Sequence, residues 1–195
     1  SPPIKSALLQ FYRIAILLAI AWLLRSQAAN LRVQGDWPVT VAEVKTFLPT
    51  AERLRVDPGP RGGLEVHDGA GEKIGYAVRT LPHSRKIVGY SGPSDILVVF
   101  DEDDKGLGVA IRHSYDTPSH VEDVKLDFLF MEEWNGRLWS EIAEITDLHA
   151  ADIYGVSGAT RTSEAIARSI THRLAVAEGG EGPQSSFRVG WRDGV

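Results

Sequence analysis

The chain has 195 residues, 43% hydrophobic and 24% charged, with a net charge of −5. That is enough for one ordinary domain plus a short extra segment, and the acidic balance argues against nucleic acid as a partner. There is no Cys, which excludes disulfides, Cys-ligated zinc and iron–sulfur clusters within the chain.

The chain begins with Ser1, which reads as a fragment or a processed product. Residues 7 to 24, ALLQFYRIAILLAIAWLL, carry only Gln10 and Arg13 as strongly polar side chains. That is the length and polarity of one N-terminal transmembrane helix. Arg13 is placed to snorkel, and Phe11, Tyr12 and Trp22 fall where aromatic belts form. Two other readings stand beside it. One is a cleaved signal peptide, with Ser26-Gln27-Ala28 as the small-x-small site; the other is a buried core helix. Lys5 and Arg13 lie on one side and Arg25 and Arg32 on the other, so charge bias does not orient the segment. The organisation expected is an anchor or signal segment over 1–28, a connector over 29–39, a domain over 40–178 and a polar tail over 179–195.

Past the connector, Thr40-Val41-Ala42-Glu43 has the spacing of a capping box. Val41, Val44, Phe47 and Leu48 follow at helical spacing, and Pro49 stops the run. A short helix over 41–48 is predicted. LEVHD and KIGYAVRT, separated by GAGE, predict a hairpin. SDILVVF and LGVAIRHSY, separated by the acidic turn DEDDKG, predict a second. Ile96 to Phe100 are all apolar, as in a strand buried on both faces. DEDDKG lacks the spacing and the final Glu of a calcium loop and reads as a solvated turn.

DTPSHVEDVK (116–125) reads as a polar loop. LDFLFMEEW fits a short helix or a strand. Residues 162–177 form the clearest helix of the domain, with Ala165, Ile166, Ser169, Ile170, Arg173 and Leu174 on one stripe and Gly179-Gly180 after it. The elements add up to an α+β domain, a twisted, mainly antiparallel sheet with flanking helices.

The turn before that helix is Ser157-Gly158-Ala159-Thr160-Arg161-Thr162-Ser163. Gly158 and Ala159 keep bulk away from the main chain, and a helix N-terminus offers N–H groups and a positive dipole end to an anion. Arg161 adds charge, and the Thr160 hydroxyl is placed to carry a phosphate covalently. The competing reading takes the Ser and Thr residues as ordinary helix N-caps. His113, Asp116, His120 and Asp123 fall close together, but their spacing matches no metal-ligand pattern, and no metal is assigned. Trp134 and Trp139 read as core or surface anchors rather than cofactor residues. No G-x-S-x-G or G-x-G-x-x-G motif is present.

SGATRTS resembles the attachment motif of the FMN-binding domain family. That family includes the flavin subunits of the sodium-pumping NADH:quinone reductase and of the Rnf complex, and the membrane flavoproteins of nitrous oxide reductase maturation. GYSGPSDILVVFDEDDKGLGVAI (89–111) resembles the family's Gly-Tyr-x-Gly segment and central hairpin. HSYDTP (113–118) resembles its His-x-x-Glu-Thr-Pro turn, with Asp116 in place of Glu. LPTAERL (48–54) before a hairpin ending in GYAV (75–78) is most similar to the nitrous-oxide branch. The similarity spans roughly residues 40 to 175.

The resemblance implies FMN esterified through its phosphate to Thr160 by a flavin transferase. It places Ser157, Gly158, Ala159, Arg161 and Thr162 around the phosphate, and His113 and Thr117 against the isoalloxazine. Tyr90 either stacks on the flavin or packs in the core. It further implies an electron relay among membrane redox partners, on the periplasmic side of the cell membrane. A flavin-based redox sensor and a non-flavin binding domain are the alternatives. Two positions depart from the family pattern: Tyr154 stands where an Asp is usual, with Asp152 two residues earlier, and Ser119 stands where a Gly often follows Thr-Pro.

Overall fold

A computed structural model of the chain describes residues 10, 12–23 and 37–180. The chain divides into two compact units, Ser1–Pro38 and Val39–Val195. In the first, residues 12–23 are helical and their side chains are exposed, Leu17, Leu18 and Trp22 among them. Among the described residues no helix is long and apolar enough to cross a membrane. The rest of the expected anchor, most of the connector and the tail from 181 lie outside the described residues.

The second unit is an α+β fold built on one five-stranded sheet. Its strands are β1 (Arg53–Val56), β2 (Leu64–His67), β3 (Lys73–Arg79), β4 (Ser94–Phe100) and β5 (Gly106–Ser114). They lie in sequence order, each antiparallel to the next. Both expected hairpins form. β4 is buried along its whole length, as its unbroken apolar run requires: alternate side chains enter two different cores. Ile96, Val98 and Phe100 join one core with Tyr76, Val78 and Val109. Leu97 and Val99 join the other with Val44, Val66 and Ala77.

The second face is covered by α1 (Val41–Lys45) and the residues after it. The capping box is present: the Glu43 backbone N–H donates to Thr40 Oγ1, and the Thr40 N–H donates to Glu43 Oε2 at 2.7 Å. The helix is shorter than the expected 41–48, and Thr46 and Phe47 leave it as a turn. At this end of the sheet the Arg112 guanidinium reaches both Glu43 (2.6 Å) and Asp95 (2.9 Å), and Arg79 reaches Asp95 at 2.7 Å.

The first face is covered by α2 (Pro118–Leu126), α3 (Phe128–Glu132), α4 (Trp139–Ala143) and α5 (Thr160–Ala177). Here one expectation is corrected. Residues 116–125 are not a polar loop: most of them are α2. Pro118 stands at the first helical position, where its fixed φ suits the helix and its missing N–H costs nothing. Only Val121 and Val124 are buried on this helix, so its apolar stripe is too thin to read from periodicity. LDFLFMEEW resolves as α3, capped by Asp127, whose carboxylate accepts from the Phe130 N–H at 2.9 Å. Strand β1 and helix α4 were not expected. α5 carries the predicted stripe, and all six of its residues are buried. Gly179 ends it with φ +81°. Trp134 and Trp139 are core residues, the latter packed against Tyr76 and Phe100.

Candidate flavin site

α5 begins at Thr160, two residues before the expected start, and its N-cap is Ala159. Ala offers no side-chain oxygen, and no side-chain cap bond is made. The hydroxyl residues are therefore not caps, and the N-cap reading is corrected. The first-turn N–H groups, which have no partner inside the helix, are left to an outside acceptor.

Three hydroxyls in this turn have three different fates. Ser163 is fully buried; its Oγ accepts the Val156 N–H at 2.9 Å and lies 3.2 Å from the Ala159 carbonyl and 3.0 Å from that of Thr160. It closes the loop on itself. Thr162 is also fully buried, and its hydroxyl donates to Asp116 Oδ2 at 2.7 Å. Thr160 is half-buried, and its hydroxyl makes one long bond to the Val156 carbonyl, 3.3 Å. Thr160 is thus the Thr of this turn that is partly exposed as a residue and whose hydroxyl is weakly held. Ser157 and Gly158 are exposed and Ala159 is buried. Gly158 has φ +81° and open space around its Cα, so a left-handed backbone turn, not crowding, calls for glycine there.

Asp116 joins the pieces. Its carboxylate accepts from Thr162, from the Ser91 N–H at 2.7 Å and from the Thr117 N–H at 2.8 Å. Burial alone would push its pKa up. The hydrogen bonds from Thr162 and from the N–H groups of Thr117, Ser91 and Tyr90 outweigh burial and hold it below the ordinary carboxylate value. One side chain thereby fixes the Gly-Tyr-Ser-Gly segment, the turn into α2 and the first turn of α5. Gly89 is required for this: a Cβ there would run into the Asp116 carboxylate. Ser91 Oγ also meets Thr117 Oγ1 at 3.2 Å.

Tyr90 is about half exposed, at 51%, so it is not a core residue. Its ring packs against His120 with centroids 4.6 Å apart, and the Arg161 guanidinium lies 5.2 Å over its face. Arg161 is thus held on an aromatic ring. His113 lies on β5 opposite Asp95 and is half-buried. Tyr154, in place of the usual Asp, donates its hydroxyl to Asp152 at 3.2 Å, and Asp152 adopts φ +60°. Among the described residues no three His, Asp or Glu side chains gather as a metal-ligand set.

The side chains that sequence reasoning passed over are Ser163, Ser91 and, as a hub, Asp116. Asp116 had a signal: it stands at the acidic position of the HSYDTP turn. Its partners are up to 46 residues away, and no spacing reveals them.

The arrangement fits a phosphate-bearing flat heterocycle. It has an uncapped helix N-terminus, a weakly bonded Thr hydroxyl, a cation and an exposed aromatic ring, on segments whose backbone one carboxylate holds together. Residues 89–175 match the model of the family described as the FMN-binding domain. That stretch holds β4, β5, α2, α3, α4 and all but the last two residues of α5. No curated protein matches the chain. The match over residues 89–175 supports the FMN-binding domain family for that stretch.

Proposed function

We propose that this domain holds FMN covalently, as a phosphoester on Thr160, and relays electrons in a membrane redox chain. The observation that carries the reading is the state of the α5 N-terminus. Its N-cap is an alanine, and among Thr160, Thr162 and Ser163 only Thr160 is a partly exposed residue, with a hydroxyl held by one long bond. A phosphate there meets unpaired N–H groups and the positive end of an 18-residue helix. In this reading Tyr90 and Thr117 would meet the ring, and Ser157, Gly158 and Arg161 would meet the phosphate. When bound, FMN would supply exchange of one or two electrons; the protein supplies holding, orientation and electrostatics.

The N-terminal apolar segment supports a tether to the cell membrane, with the domain on the extracytoplasmic side. There a covalent bond keeps a small cofactor at high effective concentration where a free one would be diluted away. A flavin transferase is the partner for modification, and membrane redox proteins are the partners for electrons. The 48–78 stretch supports the nitrous-oxide branch within the family.

The test is co-expression of the chain with a flavin transferase, followed by a denaturing gel under ultraviolet light and intact mass, beside Thr160→Ala. A fluorescent band heavier by one FMN, lost in the variant, is expected. A dark band at unmodified mass, with the transferase active on a control, would sink the covalent reading.

A further inference from the structure

Five buried side-chain atoms among the described residues have no hydrogen-bond partner: Ser84 Oγ, Trp134 Nε1, Trp139 Nε1, Arg168 Nε and His120 Nδ1. Leaving such an atom unpaired is costly, and in native structures it calls for a specific cause. The two indoles belong to the core, and Arg168 lies near Glu164 through its other nitrogens. His120 is different. It stands on the first turns of α2, three residues past Thr117, and it packs on Tyr90. Tyr90 in turn lies under Arg161, the neighbour of Thr160. The ring that carries the orphaned nitrogen is thus linked through Tyr90 and Arg161 to the first turn of α5, where Thr160 stands.

Tyr90 and Arg161 are both exposed, so each is free to shift when a flat ligand arrives. His120 is anchored on a helix whose Val121 and Val124 are buried, so it stays. An imidazole held in place, with one ring nitrogen unpaired beside an aromatic face, suits the polar edge of a heterocycle.

Resting on the flavin reading above, we infer that His120 is a further residue of the cofactor site. Its Nδ1–H donates to an acceptor on the edge of the flavin ring and sets the cofactor's reduction potential. A donor aimed at that edge favours the electron-richer form of the ring, so removing it makes the potential more negative. Asn places an amide N–H close to the position of Nδ1, whereas Gln carries its amide farther out. The two amides therefore separate a hydrogen bond at this position from mere bulk or polarity.

The experiment uses the whole chain, co-expressed with a flavin transferase. Intact mass reports FMN loading, and spectroelectrochemistry reports the midpoint potential. His120→Leu and His120→Gln are expected to load one FMN but to shift the oxidised-to-reduced balance at least tenfold, about 30 mV for a two-electron couple, towards the oxidised form. His120→Asn is expected to stay near the parent. An unchanged potential in fully loaded H120L and H120Q overturns the assignment, as does an equal shift in all three variants. Should H120L fail to fold, the H120N and H120Q pair decides alone. A parent chain that takes up no FMN shows in its mass, before any potential is read, and overturns the flavin reading together with this inference.

Discussion

Asp95 and Asp116 are both nearly lost to solvent, at 1% and 6% exposure, yet they are satisfied in opposite ways. Asp95 sits between two guanidiniums, Arg79 and Arg112, and Arg112 passes the link on to Glu43 of α1. Asp116 makes no ion pair among the described residues; backbone N–H groups and the Thr162 hydroxyl hold it. The first arrangement fastens the sheet to the segment that covers its second face. The second fixes three segments against one another: the Gly-Tyr-Ser-Gly segment, the turn into α2 and the first turn of α5. A carboxylate paired with cations neutralises charge locally. One held by N–H groups instead works as a template for main-chain geometry, which is what a cofactor site needs.

The largest effect is expected at the ion network. Asp95→Ala leaves two poorly exposed guanidiniums facing each other and is expected to cost about 3–5 kcal/mol in chemical denaturation. Asp116→Ala strands several N–H donors and is expected to cost about 2–3 kcal/mol, with loss of flavin loading. Conversion to Asn sharpens the contrast. Asp95→Asn should remain strongly destabilising, because the guanidiniums need a charge. Asp116→Asn should cost less, because one acceptor oxygen remains. Equal costs for the two Asn variants would erase the distinction.

Acid should act on both regions. Glu43 is pushed up by burial, but bonds from Arg112 and Thr40 carry it from 4.5 down to about 2. Asp116 is likewise held below its ordinary 3.8. A carboxylate with a depressed folded pKa contributes stability above its unfolded value and loses it as pH falls through the folded value. Thermal melts should therefore fall steadily from about pH 4.5 towards pH 2, and less steeply in Asp116→Asn. A melting temperature flat across that window would contradict both assignments.

The smaller effects belong to the turn itself. Gly158→Ala meets no neighbour, so only the left-handed backbone is penalised, at about 1 kcal/mol. Thr160→Ala removes one long hydrogen bond and should change stability by less than about 0.5 kcal/mol, while abolishing covalent FMN. A large loss of stability in Thr160→Ala would mean that the hydroxyl serves the fold rather than a cofactor.

Much of this was legible in the residues. The capping box of Thr40 and Glu43, the two hairpins, the doubly buried β4 and the stripe on α5 all follow from periods of two or about four residues and from turn chemistry. These are local rules, and they held where the apolar pattern was strong. They gave no helix over 118–126, where two buried valines were too few to mark a face. They passed over β1, whose RLRV run is half charged. The Ser-Gly-Ala-Thr turn was also legible, and so was the residue of interest in it. Which hydroxyl stays reachable was not, because Asp116 takes Thr162 from 46 residues away and Ser163 folds back on Val156. Nor did spacing suggest that Arg161 lies on Tyr90, or that His120 stands behind that ring with an unpaired nitrogen. The strongly patterned elements and the Ser-Gly-Ala-Thr motif depend on neighbours along the chain, so they are readable from the residues alone. Which side chains hold the loops and which stay weakly bonded depends on partners that folding brings together from far along the chain.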